Sequence, residues 1–139
     1  MHHISIRTAH IQRAIAFYEQ LGFQVQERFT TGFTLACWLE GEAGRIELIQ
    51  IPQPAPPPDA FGDEHYVGYY HLALDLTEVS PSLADWLISL QRQWQNQPEL
   101  APLKILLPPQ QQQIGDSIYE VLFIADADGL PIECLRRLS

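Results

Sequence analysis

Lysine is nearly absent from this chain, which has a single one, Lys104, among 139 residues. With 17 acidic and 8 basic side chains, the formal net charge is -9 at pH 7. A surface with this charge repels phosphate backbones and offers no basic patch to anionic lipids. We therefore expect neither a nucleic acid nor a membrane as a partner.

Cysteine is also scarce, and long apolar runs are missing. Cys37 and Cys134 stand alone without CxxC spacing, which excludes a zinc knuckle and favours a reduced, cytoplasmic location. No apolar stretch approaches the roughly 20 residues of a membrane span, and no apolar signal segment follows Met1. Apolar residues still make up 46 % of the chain, enough for the core of one compact unit or two very small ones.

The first fifty residues show the pattern of one strand, one helix and three further strands. Ile4–Thr8 alternates as a strand does, and apolar residues at near-helical spacing predict a helix from Ile11 to Leu21, stopped by Gly22. The runs FQVQERF, FTLACWLE and RIELIQI predict the three strands. The proline-rich segment IPQPAPPPDAFGDEH predicts a linker, because proline fits neither a strand ladder nor a helix interior.

The same order of elements returns after the linker. YYHLALDL predicts a strand, and Ser80 as N-cap with Pro81 at the first helical position predicts a helix that ends near Trp94. LKILLP, SIYEVLFIAD and LPIECLRRL predict three strands, and PPQQQQIGD between the first two predicts a solvated loop.

This repetition predicts an α+β fold of two βαβββ modules in one chain. The modules span about residues 1–51 and 69–139, and the linker spans 52–68. Each module is too small to bury its own sheet face well. We therefore expect the two sheets to curve around a shared cavity, with modules packed side by side or against those of a second chain.

Four titratable residues hold equivalent positions in the two modules. His3 and His71 head the first strands, and Glu47 and Glu133 each follow an isoleucine in the last strands. Strand alternation places all four on the face opposite the helix. Imidazole and carboxylate groups suit a divalent transition metal, and a carboxylate beside such a metal can take a carbon-bound proton. The same glutamates could instead be edge charges that discourage pairing between sheets.

Five phrases in order along the chain carry a resemblance to a known family: HISIR, AIAFYEQLGF, RIEL, YHLAL and DADGLPIECL. With them the chain resembles the vicinal oxygen chelate superfamily, which includes glyoxalase I, extradiol dioxygenases, and bleomycin and fosfomycin resistance proteins. In its pattern of metal ligands it is most similar to glyoxalase I.

The resemblance to glyoxalase I implies a metal-dependent lyase or isomerase. His3, Glu47, His71 and Glu133 would bind nickel or zinc, with iron or manganese as other choices. Glu133, together with Glu47, would serve as the base that moves a proton between adjacent carbons. The substrate would be a small oxygen-chelating molecule such as the thiol adduct of a 2-oxoaldehyde.

The same resemblance implies how substrate and partner are bound. Arg7 matches an arginine that glyoxalase I directs toward the carboxylate of glutathione, whereas Ile51 stands where an asparagine typically helps to hold glutathione. A homodimer is implied, because modules from two chains often complete each site in the relatives.

Two other functions stay open at this point. An iron-dependent ring-cleaving dioxygenase would use His3, His71 and Glu133, and Glu47 would then be an extra carboxylate. A non-enzymatic protein of the same fold would hold a small aromatic or antibiotic ligand in the cavity and need no metal.

Overall fold

Two four-stranded sheets, each accompanied by one helix, make up the computed structural model of this protein, which describes residues 1–138. The chain divides into one unit from Met1 to Pro57 and a second unit that begins at Pro58. Each unit contains a strand, a helix and three strands in that order. The predicted α+β fold of two βαβββ modules is confirmed. Ser139, the last residue of the predicted second module, lies outside the described residues.

The first unit has its elements close to the predicted bounds. They are β1 (Ile4–Thr8), α1 (Ile11–Gln20), β2 (Gln24–Thr31), β3 (Thr34–Gly41) and β4 (Gly44–Gln50). The strand order is β1-β4-β3-β2, with β1 parallel to β4 and the other pairs antiparallel. Strand β4 thus lies inside the sheet, with β1 on one side and β3 on the other.

Helix α1 begins and ends where its capping groups dictate. The His10 Nδ1 atom accepts a hydrogen bond from the Arg13 backbone N–H at 3.2 Å, which satisfies a free donor of the first turn. Leu21 is the C-cap, and Gly22 follows with φ +95°, a conformation that costs glycine little. The apolar face, which includes Ile15 and Tyr18, is buried.

Strand alternation would turn Ile4 and Ile6 toward the helix, but strand β1 does not bury them there. Ile4 is 38 % exposed, and Ile6 is only partly buried. The reason is topological, because β1 is an edge strand and helix α1 packs mainly over β4, β2 and β3.

The second unit contains five elements in the same order. They are β5 (Leu72–Asp75), α2 (Leu83–Gln95), β6 (Lys104–Ile114), β7 (Ser117–Ala125) and β8 (Pro131–Arg137). The strand order is β5-β8-β7-β6, and β5 runs parallel to β8. The two units therefore share one topology, and β8 occupies the place that β4 has in the first.

Helix α2 begins two residues later than predicted. Ser82, not Ser80, is the N-cap, and its Oγ accepts a hydrogen bond from the Asp85 backbone N–H at 3.0 Å. Glu120 on β7 accepts a further bond from the Leu83 N–H at 3.1 Å. A carboxylate supplied by the sheet thus fixes the first turn, which local sequence signals do not reveal.

The predicted glutamine-rich loop is wrong, because PPQQQQI belongs to strand β6. Gln110 to Gln113 pair with β7 in regular antiparallel register, and only Gly115 and Asp116 form the connecting turn. Two register shifts, between Ile105 and Leu107 and between Leu107 and Gln110, lie around the two prolines. Proline is tolerated there because β6 is an edge strand with bulges.

Both cysteines are free and fully buried. Burial raises the pKa of the Cys134 thiol to about 12, with a further contribution from the negative charge of Glu133. Burial likewise raises the pKa of Cys37, although the charge of Arg28 and a backbone hydrogen bond from Leu48 act in the opposite direction.

We therefore expect the native protein to resist thiol reagents. A thiolate is the reactive form, and both groups stay protonated and enclosed. The check is titration with a disulfide reagent at about pH 8, where an exposed thiol near its ordinary pKa reacts readily. Two equivalents should react only after denaturation, and rapid modification of the folded protein would contradict this burial.

No helix within residues 1–138 combines the length and apolar character needed to cross a membrane.

Candidate metal centre

His3 and Glu47 form a pair at one edge of the first sheet. His3 immediately precedes β1, and Glu47 lies on the neighbouring strand β4, opposite Ser5 in the parallel register. The His3 Nε2 atom is 3.4 Å from Glu47 Oε1, and their side chains are 26 % and 14 % exposed. A nitrogen and an oxygen donor thus face each other at a partly open position.

The flanking strands hold both oxygens of the Glu47 carboxylate. Ser5 Oγ on β1 donates to Oε1 at 2.8 Å, and Trp38 Nε1 on β3 donates to Oε2 at 2.8 Å. Burial by itself raises the pKa of Glu47, but the bonds from Trp38 and Ser5 and the charges of His3 and His2 outweigh it and lower the pKa below its ordinary value of 4.5. Glu47 is therefore an oriented, ionised carboxylate.

His71 and Glu133 form the equivalent pair in the second unit. His71 immediately precedes β5, and Glu133 lies on the neighbouring strand β8. The His71 Nε2 atom is 3.4 Å from Glu133 Oε2, and their side chains are 22 % and 15 % exposed. The two units thus repeat the same pair with the same separation.

The surroundings of the two glutamates differ at two matched positions. Ala73 on β5 lies opposite Glu133 where Ser5 lies opposite Glu47. Phe123 on β7 lies opposite Glu133 where Trp38 lies opposite Glu47. Neither replacement has a side-chain donor. Among residues 1–138, His71 is the only side chain found within polar contact of the Glu133 carboxylate.

Aromatic rings surround His71. Its ring centroid is 4.4 Å from that of Tyr70 and 5.0 Å from that of Phe123, both edge-on. The His71 Nδ1 atom is buried, and no partner for it occurs among the described residues. A metal-bound histidine usually donates its second N–H, so this nitrogen is a free position in the second unit.

His2 is a member of the first site that sequence alternation missed. Strand alternation would place His2 on the opposite face from His3, yet its Nδ1 is 2.8 Å from His3 Nδ1. The ring of His2 also packs edge-on against Trp38, with centroids 5.0 Å apart. Alternation does not apply here, because β1 begins only at Ile4. The adjacent pair HH was the one available signal.

Arg7 lies on β1, opposite Ile49 of β4. Arg7 lies two positions after Ser5 on the same strand, so it shares the sheet face that carries the first pair. Its guanidinium is exposed. The positive charge of Arg7 is thus available to an anionic group on this face. The predicted role of Arg7 in binding substrate stays a prediction.

The donor atoms fit a divalent transition metal in part. Two ligand atoms at about 2.1 Å from one ion lie roughly 3.0 to 3.4 Å apart, and both pairs show that spacing. Within residues 1–138, however, no group of three or more His, Cys, Asp or Glu side chains comes together to hold a metal. Each pair therefore supplies two ligands, and the predicted four-residue set stays a prediction.

Replacing Trp38 with phenylalanine should make the first site more like the second, where Phe123 holds the matched position, while Ser5 still donates to Glu47. The loss of a hydrogen bond to a charged group should cost about 1–3 kcal/mol of unfolding free energy near neutral pH. Because the folded-state pKa of Glu47 is lowered, its stabilisation is present above the ordinary pKa and disappears as the pH falls through the folded value.

The measurement is urea unfolding of both proteins at about pH 7 and about pH 4. The difference between them should shrink at the lower pH. A Glu47→Gln background is the control, since the pH-dependent part of the Trp38→Phe effect should vanish there. An equal cost at both pH values would show that only ring packing was lost.

The family model described as "Glyoxalase/Bleomycin resistance protein/Dioxygenase superfamily" matches residues 1–85. This range contains the first unit and the first strand of the second, and it includes three of the four paired residues, His3, Glu47 and His71. The comparison with curated proteins found no match.

Solved structures with this fold span nearly the whole chain. A glyoxalase family protein from Enterococcus faecalis is 22 % identical with a TM-score of 0.69, covering 98 % of this chain and 96 % of its own. A glyoxalase family protein from Bacillus cereus is 17 % identical with a TM-score of 0.69, covering 100 % and 94 %. A glyoxylase/bleomycin resistance protein/dioxygenase domain from Frankia sp. EAN1pec is 18 % identical with a TM-score of 0.64, covering 99 % and 97 %. At these identities the likeness is one of fold.

Proposed function

The chain belongs to the Glyoxalase/Bleomycin resistance protein/Dioxygenase superfamily, and from this premise we propose that it is a metal-dependent lyase or isomerase of the glyoxalase I type. Its substrate would be a small molecule with two neighbouring oxygens, such as the thiol adduct of a 2-oxoaldehyde. The observation that carries this proposal is the repeated His–Glu pair, with nitrogen and oxygen 3.4 Å apart in each unit.

The ligand set would consist of His3, Glu47, His71 and Glu133. The superfamily is typically metal-dependent, and mixed nitrogen and oxygen donors suit nickel or zinc, with iron or manganese as further choices. The set would be completed in a homodimer, a pair from one protomer joining a pair from its partner. When bound, the metal would act as a Lewis acid toward the two substrate oxygens.

Glu133 would be the base. Neither Ala73 nor Phe123 donates a hydrogen bond to it, so its carboxylate has fewer competing donors than that of Glu47. A carboxylate in such surroundings can take a proton from one carbon and return it to the next. This transfer converts the thiohemiacetal into a 2-hydroxy thioester without any other reactant.

Glu47 would serve chiefly as a fixed ligand. Ser5 and Trp38 hold both of its oxygens, and each oxygen keeps a further lone pair for a metal. Arg7, exposed on the same face, would attract a carboxylate of the thiol carrier. Ile51 offers no hydrogen bond to that carrier, so thiols other than glutathione are worth assaying.

The test is an assay of metal-reconstituted protein with methylglyoxal and a panel of thiols, glutathione first. Thioester formation that requires the metal would support the proposal. Oxygen uptake with catechols under ferrous iron, without thioester formation, would replace it with a ring-cleaving dioxygenase. Tight binding of aromatic or antibiotic ligands to metal-free protein, without turnover, would replace it with a binding protein.

A further inference from the structure

A chain of polar contacts runs from Arg45 through both N-terminal histidines to Glu47. The Arg45 Nη1 atom contacts His2 Nε2 at 2.5 Å. His2 Nδ1 is 2.8 Å from His3 Nδ1, and His3 Nε2 is 3.4 Å from Glu47 Oε1. Arg45 is itself held by Glu40 at 3.3 Å and stacks over the Trp38 ring at 5.6 Å.

The guanidinium of Arg45 determines which atom donates and which accepts in each of these polar contacts. A guanidinium only donates, so His2 Nε2 must be the acceptor and a neutral His2 carries its proton on Nδ1. His2 Nδ1 then donates to His3 Nδ1, which must accept. A neutral His3 therefore carries its proton on Nε2, the nitrogen that faces Glu47.

We propose that Arg45, acting through His2, holds the proton of His3 on Nε2 and so opposes metal binding by that nitrogen. This inference rests on the proposed function for its consequence, because it concerns the first metal ligand of that site. The positions of the protons on His2 and His3 are a property of the metal-free protein and do not depend on the proposed function. Arg45 and His2 are positioning residues.

The opposition follows from which nitrogen is free to bind. A metal on His3 Nε2 needs the lone pair there, so the proton of a neutral ring must lie on Nδ1 and point at His2. His2 could accept it only with its own proton on Nε2, which would then face the donor of Arg45. The first ligand can bind only if His2 leaves one of its two contacts.

Within the described part of the second unit, residues 58–138, no such series of contacts occurs. His71 Nδ1 has no partner among residues 1–138, so either ring nitrogen of His71 can carry the proton. We therefore expect His71 to bind a metal more readily than His3, because only the proton of His3 is fixed through His2 by Arg45.

The direct test is the protonation pattern of the histidine rings in the full-length, metal-free protein with a native N-terminus. Nitrogen-15 chemical shifts and two-bond couplings at about pH 8, where histidine is ordinarily neutral, report which nitrogen carries the proton. His3 should carry it on Nε2 in the native chain. In a His2→Phe variant, which keeps a ring against Trp38 but removes the donor, His3 should become a mixture of both forms. A proton on Nδ1 of His3 in the native chain would overturn the inference.

The second test is affinity for zinc, measured by competition with a chromophoric chelator. Loss of one opposing hydrogen bond should tighten zinc binding about threefold to tenfold in His2→Phe. His65→Phe is the matched control, because that side chain is 88 % exposed in the second unit, and its affinity should equal that of the native chain. Arg45→Met should tighten binding as His2→Phe does.

Whether zinc binding becomes tighter or weaker in His2→Phe distinguishes this role from that of a residue that merely supports a metal ligand. A supporting residue beside a metal ligand weakens binding about tenfold to a hundredfold when it is removed. Weaker zinc binding in His2→Phe would therefore overturn the inference. If neither the native protein nor any variant binds zinc, the proposed metal-dependent function is wrong. The nitrogen-15 measurement then decides by itself whether Arg45 and His2 hold the proton of His3 on Nε2.

Discussion

Glu133→Gln is expected to lower kcat of the proposed isomerisation by about 10²- to 10⁴-fold, the usual contribution of a positioned base. Glutamine keeps the shape of the side chain but cannot take the proton. Because Ala73 and Phe123 make no hydrogen bond to Glu133, the substitution leaves no flanking donor without an acceptor. The fold should therefore be unaffected, and the loss should appear in the chemical step.

Metal-reconstituted protein and the thiohemiacetal of methylglyoxal provide the assay. Glu78→Gln is the matched control, since Glu78 is an exposed carboxylate of the same unit and should leave kcat unchanged. Metal content is measured on each preparation, so that a lost ligand is separated from a lost base. Full activity in a metal-loaded Glu133→Gln protein would exclude Glu133 as the base.

The His3→Ala/His71→Ala double variant is expected to lose bound metal almost completely. The native protein should contain about one transition metal per four-ligand site, and removing both imidazoles leaves only two carboxylates, which hold a late divalent metal weakly. Each histidine lies beside its glutamate and is only about one quarter exposed or less, so truncation opens the pair to water.

Elemental analysis of protein purified without a tag measures this effect. The matched control is His10→Ala/His65→Ala, which removes two histidines outside the pairs. That variant loses the N-cap of α1, at a cost of about 1 kcal/mol, and should retain its metal. Equal metal content in both double variants would show that the paired histidines are not ligands, and absence of metal from the native protein even after reconstitution would favour the binding-protein function.

Features that depend on neighbouring residues in the sequence could be predicted, whereas contacts between distant strands could not. The periodic pattern predicted both modules, because a strand or helix that buries one face needs apolar residues at regular spacing, and this spacing is visible in the sequence. It failed at Pro108 and Pro109, which occupy an edge strand beside β-bulges rather than a loop. It failed also at the start of α2, where Glu120 from another strand supplies the cap.

The sequence by itself determined the α+β class, the repeated module, and the equivalent placement of His3 with His71 and of Glu47 with Glu133. Only the tertiary structure decided the partners of those groups, because partners come from neighbouring strands whose register is set by packing across the sheet. Register places Ser5 and Trp38 beside one glutamate and Ala73 and Phe123 beside the other. It also brings Arg45 to His2, 43 positions away along the chain. Two sites that look identical in the sequence thereby acquire different chemistry.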